Sequence, residues 1–517
     1  MIQRNWAIWA ITLLLGAAAA TYQGYHLTIA LDADDTNHLE TPLLLAVARQ
    51  ATEGPGTLYG PYSGSSPLVL IHAPLYYRLA GLAAWPLTRA GYDAITAALI
   101  AGRSLSLLGV ALLLLAVARL ARFEGESARS GVWATLIVAA SPVLGSFGVT
   151  VRPDTLGIAL QTWGIWFILR SLREGCGAWK AGLLFALAVC VKQHDLVSGV
   201  VGFGLLALPG GRGRARRFVG AVAVGVGILG VYGGLEEWLT GGMMSRAVVR
   251  VPAALGRVNR ATWGHVATVF LETAKLSIGL LALAGACLVS GMKGWRGGRL
   301  DAILGLFLVA ETAAMVPLCL NSTGSWVNYA LEPVVLGAVL VARALDRVVS
   351  SGSGWRLGPV VLASAALLAA DVRLVRISAG NRAKDREALR TLLADPALGP
   401  RESRYFVAVP QYNRLYGRAE LAHDDWLYSS FEAVGAAEPR SGWLRSALTT
   451  GPVRRVVVAN DPHRDPMLVE GLAEPLPLLG YRKVDRFGRF DLWERCDAND
   501  PDRLTARNRP DRWPEPR

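Results

Sequence analysis

The chain has 517 residues, of which 52% are hydrophobic and only 18% are charged, and its mean hydropathy is +0.34. Soluble globular proteins are about 25% charged, and here the apolar residues form long blocks, so the composition excludes an ordinary soluble enzyme and indicates a polytopic membrane protein. The net charge of +13 does not indicate nucleic-acid binding, because basic residues collect in the cytoplasmic loops of membrane proteins. The five cysteines are scattered without ligand-type spacing, which argues against a disulfide framework or a zinc site.

Long apolar runs predict eleven membrane spans, because a helix needs about 20 apolar residues to cross a bilayer. The runs lie near residues 7–30, 95–118, 131–149, 155–171, 178–191, 194–209, 218–238, 266–290, 301–320, 327–345 and 357–376. The fifth and sixth runs are short and are separated by a polar stretch around Lys192. The first run is long for a signal peptide and has no clear cleavage site, so it predicts an uncleaved first span.

The distribution of basic residues predicts the orientation of these spans. If the N-terminus is cytoplasmic, the loops at 119–130, 172–180, 210–217, 291–300 and 346–356 all fall inside, and each of them is basic. This agrees with the rule that cytoplasmic loops are rich in Lys and Arg. The sequence therefore predicts a multi-pass protein of the cytoplasmic (inner) membrane, with the loop at 31–94, Lys192 and the C-terminal region on the outside.

Two regions outside the spans have their own predicted structure. The loop at 31–94 contains two predicted interfacial helices, at 42–50 and 72–87, with a disordered loop as the alternative. After residue 377 charged residues become common, and short strand patterns predict a small α/β domain. The predicted organisation is a transmembrane module over 1–377 that includes the acidic loop 31–94, an outer α/β domain over 378–497, and a disordered tail over 498–517.

Polar motifs occur in order along the side of the protein that is predicted to be outside. They are Asp34-Asp35, His72-Ala73-Pro74-Leu75-Tyr76-Tyr77, Arg152-Pro153-Asp154, Lys192-Gln193 and Asn328-Tyr329-Ala330-Leu331-Glu332-Pro333. Over about residues 1–345 this series resembles the C-type (GT-C) membrane glycosyltransferases, in particular the bacterial branch similar to protein O-mannosyltransferases and lipid A aminoarabinose transferases. Two positions depart from that branch: Asp35 stands where it usually has Glu, and Ala73 replaces the first proline of a His-Pro-Pro-Leu stretch.

The resemblance implies a glycosyltransferase activity on a polytopic helical fold. The implied donor is a sugar carried on a polyprenyl phosphate, and the implied acceptor is a glycan, lipid or protein at the outer face of the cytoplasmic membrane. Such a reaction needs a carboxylate to take the acceptor's proton and cations to stabilise the departing phosphate. Membrane lipid is a further expected partner, and nucleic acid is not.

The acidic pair in the first outer loop is the predicted catalytic centre. We expect Asp34 to be the general base, with Asp35 as the second catalytic residue. The alternative is that these residues only cap a helix beginning near Thr36, since Asp is a favoured N-cap residue. The sequence demands no cofactor, but a divalent cation held by Asp32, Asp34 and Asp35 stays open, because hard cations bind carboxylate oxygens.

The other motifs supply the predicted substrate-binding residues. Lys192 and Arg152 are expected to bind the phosphate, and Arg103 is a weaker candidate. The remaining predicted substrate contacts are Asp154, His72, Tyr76, Asn328, Tyr329 and Glu332. Structural alternatives are a lysine that snorkels to the interface, a salt-bridged helix start at Arg152-Pro153-Asp154, and a Glu332 that is buried in a structural pair.

Two other classes of protein compete with the enzyme. One is a polytopic transporter or flippase of lipid-linked glycans, and the other is a non-catalytic membrane scaffold. Transporters commonly contain internal repeats with interrupted helices at matching positions, and we find no such repeat in this sequence. A scaffold would leave the acidic loop and Lys192 without a role.

Overall fold

The computed structural model describes residues 2–31, 40–59, 70, 72–208, 212–253, 261–291, 299–321, 327–351, 357–398, 404–407, 445, 448–450, 453–459, 476–488 and 490–496. The chain divides into two compact units. Unit 1 comprises Met1–Ala33, Ala46–Leu58 and Ile71–Arg376, and unit 2 comprises Asp34–Leu45, Tyr59–Leu70 and Ile377–Arg517.

Fifteen α-helices of more than five residues account for most of the described chain. In order they are α1 (Ile2–Leu31), α2 (Thr41–Glu53), α3 (Leu75–Arg89), α4 (Ala94–Ala121), α5 (Ala128–Ala139), α6 (Pro142–Gly148), α7 (Asp154–Glu174), α8 (Ala178–Val191), α9 (Val197–Ala207), α10 (Arg212–Leu239), α11 (Trp263–Leu276), α12 (Ile278–Gly291), α13 (Arg299–Asn321), α14 (Leu331–Ser350) and α15 (Gly358–Ala394). Short helical segments at Met243–Ser245 and Arg246–Arg250 follow α10.

The fold is that of a mostly helical membrane protein. Within the described residues, four helices are long and apolar enough to cross a membrane, and six spans result if each of two bent helix pairs counts as one. The bent pairs are α5 with α6, at 67°, and α11 with α12, at 71°. The helices α8 and α9 are shorter, with 14 and 11 residues, so the finer number of eleven spans stays a prediction.

Small residues allow the helices of unit 1 to pack closely. A Cβ atom added at Gly182 of α8 would lie 2.1 Å from the carbonyl oxygen of Ala221 on α10. At Gly109 of α4 an added Cβ would lie 2.8 Å from the backbone nitrogen of Leu156 on α7. In membrane helices the attraction comes from such close backbone approach, because lipid tails are as apolar as the side chains.

A buried ion pair attaches α3 to α10. The guanidinium of Arg78 donates hydrogen bonds to both carboxylate oxygens of Glu236, at 2.6–3.0 Å, and one to the side chain of Gln50 on α2, at 2.7 Å. Arg78 is 8% exposed and Glu236 2%. A planar guanidinium fixes direction as well as distance in such a bidentate pair, so this contact sets the position of α3.

The two helices predicted in the loop 31–94 are present, as α2 and α3. The second begins at Leu75, three residues later than predicted, because Pro74 occupies the N-cap position and a residue before proline is disfavoured in helical conformation. His72 and Ala73 therefore lie in the loop that leads into α3. The location of either helix at a membrane surface stays a prediction.

Unit 2 contains a small four-stranded sheet, as the strand patterns predicted. Its strands are β1 (Arg404–Val407), β2 (Arg455–Ala459), β3 (Tyr481–Phe487) and β4 (Phe490–Arg495), in the order β1-β2-β4-β3. The β1–β2 pair is parallel, and the other two pairs are antiparallel. Partial burial acts to raise the pKa of Asp491 on β4, but hydrogen bonds from Arg486 and Lys483 on β3 outweigh it and hold that pKa below its ordinary value.

Candidate active site

Several polar motifs that are far apart in sequence meet at one end of the unit 1 bundle. They lie at the start of α7, at the end of α8, in the loop before α3, and in the short turn Val327–Ala330 that precedes α14. Helix ends are suited to this use, because their backbone groups and polar side chains need partners there. The first and last turns therefore supply the site, while the apolar middles of the helices pack together.

Asp154 is the centre of this cluster. Its Oδ2 accepts a hydrogen bond from Arg152 Nε at 2.8 Å, and its Oδ1 accepts one from Lys192 Nζ at 2.8 Å and one from Asn328 Nδ2 at 3.1 Å. Asp154 has no exposed surface, and Lys192 is 1% exposed. A buried carboxylate needs such donors, so Asp154 joins α7, the end of α8 and the turn before α14.

Lys192 is enclosed by the protein and does not reach towards an interface. Besides its salt bridge to Asp154, its ammonium nitrogen lies 5.0 Å from the centre of the Tyr329 ring. The edge-to-face pair of Tyr329 and His194, with ring centres 5.6 Å apart, covers the same group. The snorkelling alternative is therefore not what the structure shows, because Lys192 is held on an anion and against an aromatic face.

Arg152 uses only part of its guanidinium in this network. Its carbon Cζ lies 5.1 Å from the centre of the Phe147 ring, and its Nε contacts Asp154. Among the described residues, no hydrogen bond involves its two terminal nitrogens. The predicted salt-bridged helix start is present, and the guanidinium retains donors that an anionic ligand could take.

The loop before α3 completes one side of the cluster. The backbone nitrogen of Ala73 donates to Gln193 Oε1 at 3.0 Å, which ties this loop to the residue after Lys192. His72 stacks on Tyr77 with ring centres 6.5 Å apart. Burial, followed by the positive charge of Arg152, lowers the pKa of His72 to about 3, so its imidazole is neutral at physiological pH.

The two tyrosines of this loop motif differ in what their hydroxyls do. The Tyr76 hydroxyl donates to the carbonyl oxygen of Gly102 at 2.8 Å and lies 2.8 Å from Ser106 Oγ. The Tyr77 hydroxyl is buried and has no hydrogen-bond partner among the described residues. The Tyr76 hydroxyl is thus used in packing against α4, whereas the Tyr77 hydroxyl is available to a ligand. The sequence had instead predicted Tyr76 as the substrate contact.

The remaining predicted residues have different locations. Glu332 is half-buried in the first turn of α14, which follows the turn that carries Asn328 and Tyr329. Arg103 Nη1 donates to the carbonyl oxygens of Ile29 and Ala30 at the end of α1, at 3.0 and 3.1 Å. Asp32, Asp34 and Asp35 lie outside the described residues. In the part of the chain that the structure describes, no group of three or more His, Cys, Asp or Glu residues could hold a metal ion.

Sequence reasoning missed three residues that the structure adds to the cluster: Phe147 under Arg152, Tyr77 beside His72, and Asp195 against Gly157 of α7. Tyr77 and Asp195 are close to residues that the motifs did select, so only geometry could distinguish them from their neighbours. Phe147 lies on a separate short helix, and an apolar residue in an apolar run gives no signal of a cation contact.

Comparison with known proteins gives one family match and several structural ones. Residues 83–232 match the family described as dolichyl-phosphate-mannose-protein mannosyltransferase. No curated protein matches the chain significantly.

Among solved structures, the fold is similar to ArnT from Cupriavidus metallidurans. The crystal structure of ArnT bound to undecaprenyl phosphate aligns with a TM-score of 0.58 and 13% identity, over 94% of this chain and 98% of that chain. The apo structure of ArnT aligns with a TM-score of 0.58 and 12% identity, over 93% and 97%. An oligosaccharyltransferase from Archaeoglobus fulgidus aligns at a TM-score of 0.48, with 13% identity over 92% and 72%.

The family match and the ArnT structures confirm the resemblance that the ordered motifs predicted. The family match falls on α4 to α10 and the end of α3, and so includes Arg152, Asp154 and Lys192. The ArnT-like fold extends over nearly the whole chain. Residues 83–232 thus match the model of a mannosyltransferase family, and the chain as a whole has an ArnT-like fold of a multi-pass membrane protein.

Proposed function

We propose that this protein moves a sugar from a polyprenyl-phosphate carrier to an acceptor hydroxyl at the outer face of the cytoplasmic membrane. The observation that carries the proposal is the pair of cations, Arg152 and Lys192, held on the single buried carboxylate of Asp154. Among the described residues, no hydrogen bond uses the two terminal nitrogens of Arg152, so this part of the site can bind an anion. ArnT is described bound to undecaprenyl phosphate, which is an anion of the expected class.

An apolar groove next to these cations supports a lipid carrier. The groove has a volume of about 720 Å³ and runs between α11, α12, α13 and α14. Phe270, Met315 and Pro333 line it on the side near the site, and Tyr329, which covers Lys192, packs on the same apolar cluster as Met315. A phosphate at Lys192 could thus have its prenyl chain in this groove, because apolar clefts with a few polar groups at one end orient amphipathic ligands.

The proposed chemistry assigns one task to each charged group. The bond between the anomeric carbon and the carrier's phosphate oxygen breaks, and a bond from that carbon to the acceptor oxygen forms. Arg152 and Lys192 stabilise the negative charge that the phosphate gains, which is worth most in a site without water. Asp34 takes the acceptor's proton as general base, and Asp35 assists by binding a sugar hydroxyl. Tyr77, His72 and Asn328 are positioned to contact the sugar or phosphate.

Reconstitution in liposomes tests this reaction. Wild-type protein with a polyprenyl-phosphate sugar and a hydroxyl acceptor should give a glycosylated acceptor and free polyprenyl phosphate. Asp34→Asn should lower the rate by about 100-fold or more, the usual contribution of a general base, while Asp35→Asn should have a smaller effect. Glu53→Gln, in a carboxylate that is 48% exposed and forms only a surface pair with Arg49, is the matched control and should leave the rate unchanged.

Three results would be decisive against parts of the proposal. Equal rates for Asp34→Asn and wild type would remove Asp34 as the base. Movement of the lipid-linked sugar across the bilayer without any transfer would favour the transporter or flippase. Neither transfer nor movement, with correctly folded protein and a panel of carriers, would favour a scaffold.

A further inference from the structure

A second groove of unit 1 lies between α1 and α15 and has a volume of about 440 Å³. It shares no lining residue with the groove between α11, α12, α13 and α14. One face of α15 forms most of it, because residues three or four apart lie on the same side of a helix. Its lining includes Leu14 of α1 and Ala365, Ala369, Val372, Arg373 and Arg376 of α15. The groove is therefore apolar along most of its length and ends at two cations.

The two arginines at the end of this groove have no anionic partner in the described part of the chain. Arg373 and Arg376 are both exposed, and neither guanidinium forms a hydrogen bond or an ion pair with a described residue. Asp371 does not neutralise them, because it is 1% exposed and lies on another face of α15, with the buried Ser364 and Leu367. A guanidinium can donate in parallel to two oxygens of a phosphate. The charged end of the groove thus suits a phosphate group from outside the protein.

The groove has the length of one membrane leaflet. Between Ala365 and Arg376 the helix rises by about 16 Å, at about 1.5 Å per residue, and half of the hydrocarbon core of a bilayer is about 15 Å thick. Leu14 lies within Trp6–Leu31, a stretch of α1 that is long and apolar enough to cross a membrane. The apolar lining is therefore at the depth of acyl chains, and the arginines are at the depth of headgroups.

We propose that this groove binds one anionic phospholipid, with its phosphate on Arg373 and Arg376 and an acyl chain along Leu14, Ala369 and Val372. A net negative headgroup is favoured over a zwitterionic one, because basic residues at a membrane surface attract anionic lipids. The basic loops predict that this end of α15 is outside, so the lipid belongs to the outer leaflet. The preference for basic residues on the cytoplasmic side does not account for arginines at that end, whereas a lipid phosphate does.

The position of α15 gives such a lipid a structural effect on the rest of unit 1. On its buried face, Leu367 lies so close to Gly279 of α12 that a Cβ atom added there would overlap it, and α12 also lines the groove proposed for the carrier. A phospholipid held between α1 and α15 would thus support the helix that backs this wall. The site does not depend on the proposed transfer reaction, because its ligand is a constituent of the membrane and not a substrate.

Native mass spectrometry of the purified protein with phosphatidylglycerol or phosphatidylcholine tests the charged end of the site. Wild type should hold one phosphatidylglycerol about tenfold or more tightly than phosphatidylcholine, and Arg373→Gln with Arg376→Gln should lose that bound lipid. Lys384→Gln with Arg390→Gln is the matched control, because these exposed residues lie on the same helix beyond the predicted span, and it should keep the preference. Equal loss in the two double variants, or no preference in wild type, would overturn the proposal.

Filling the groove tests its apolar part without removing a charge. Ala369 is exposed, so Ala369→Trp leaves the helix packing intact and occupies the groove, and it should weaken phosphatidylglycerol binding by about tenfold. Unchanged binding would show that surface charge alone attracts the lipid, which contradicts a groove site. If undecaprenyl phosphate displaces the bound phosphatidylglycerol and its own binding is lost in the arginine double variant, the groove belongs to the carrier and the phospholipid assignment is wrong. Lys192→Met should keep the phosphatidylglycerol preference, so failure of the proposed function would leave this result standing.

Discussion

Asp154 shows how one residue can organise a charged site inside a helix bundle. It accepts three hydrogen bonds, from Arg152, Lys192 and Asn328, and each donor comes from a different segment of the chain. Burying a charge is tolerated only when partners replace the lost water. The ion pairs to Asp154 therefore preorganise the two cations, Arg152 and Lys192.

The tyrosines of the loop motif give a first prediction. Tyr76→Phe should lower the free energy of unfolding by about 1 kcal/mol, because the carbonyl of Gly102 and the hydroxyl of Ser106 each lose their contact with the Tyr76 hydroxyl. Tyr77→Phe removes a hydroxyl that has no partner among the described residues, so stability should stay within about 0.5 kcal/mol of wild type. Thermal unfolding in detergent measures both. A larger loss of stability from Tyr77→Phe than from Tyr76→Phe would contradict these roles.

His72 predicts how stability depends on pH. Its pKa is lowered to about 3 in the folded protein, against about 6.5 in an unfolded chain. Below the unfolded value, the unfolded state binds a proton that the folded state excludes, so stability is lost as the pH falls from about 6.5 towards 3. The melting temperature of His72→Gln should decline less over this interval than that of wild type. Equal declines would show that the imidazole does not carry this effect.

At the scale of elements, the glycines on helix faces predict which contacts are tight. Gly182→Ala should destabilise the protein by about 1–3 kcal/mol, because the added Cβ would lie 2.1 Å from the Ala221 carbonyl, and backbone must move. Gly227→Ala on α10 is the matched control: an added Cβ there has no atom of a described residue within 4 Å, and alanine in a helix interior is favoured over glycine by about 0.5–1 kcal/mol. Denaturation in detergent measures the two changes. If Gly182→Ala and Gly227→Ala change the free energy of unfolding equally, or if Gly182→Ala stabilises the protein, the close packing of α8 on α10 is contradicted.

The elements also show which parts of the structure could be predicted from the sequence. The run at 178–191 corresponds to α8 without a shift, because an apolar block bounded by Gly177 and Lys192 has clear ends. The run at 131–149 is instead two helices bent by 67° around Ser141 and Pro142, since composition alone does not reveal a bend. The partners of Lys192 were also hidden, because Asp154 and Asn328 are distant in sequence and only the packing of α7, α8 and α14 joins them.

At the scale of the whole molecule, the order of the motifs predicted more than any motif alone. Arg152, Asp154, Lys192, Asn328 and Glu332 meet at one end of the bundle, as a common outer placement would require. Asp34, the predicted base, and Asp35 lie outside the described residues. The proposed carrier site consists of the cation pair, Arg152 and Lys192, and the apolar groove between α11, α12, α13 and α14.

Binding of undecaprenyl phosphate to purified protein tests that account most directly. Wild type should bind the lipid, and Lys192→Met should lower the affinity by at least about tenfold, because a charge-assisted hydrogen bond contributes about 1.5–3 kcal/mol. Lys192→Arg, which keeps the charge, should retain part of the affinity and shows that a folded site is present. Lys275→Met, in a lysine that is 69% exposed on α11, should bind within about twofold of wild type. If folded Lys192→Met binds undecaprenyl phosphate as tightly as wild type, the cluster around Asp154 is not the carrier phosphate site.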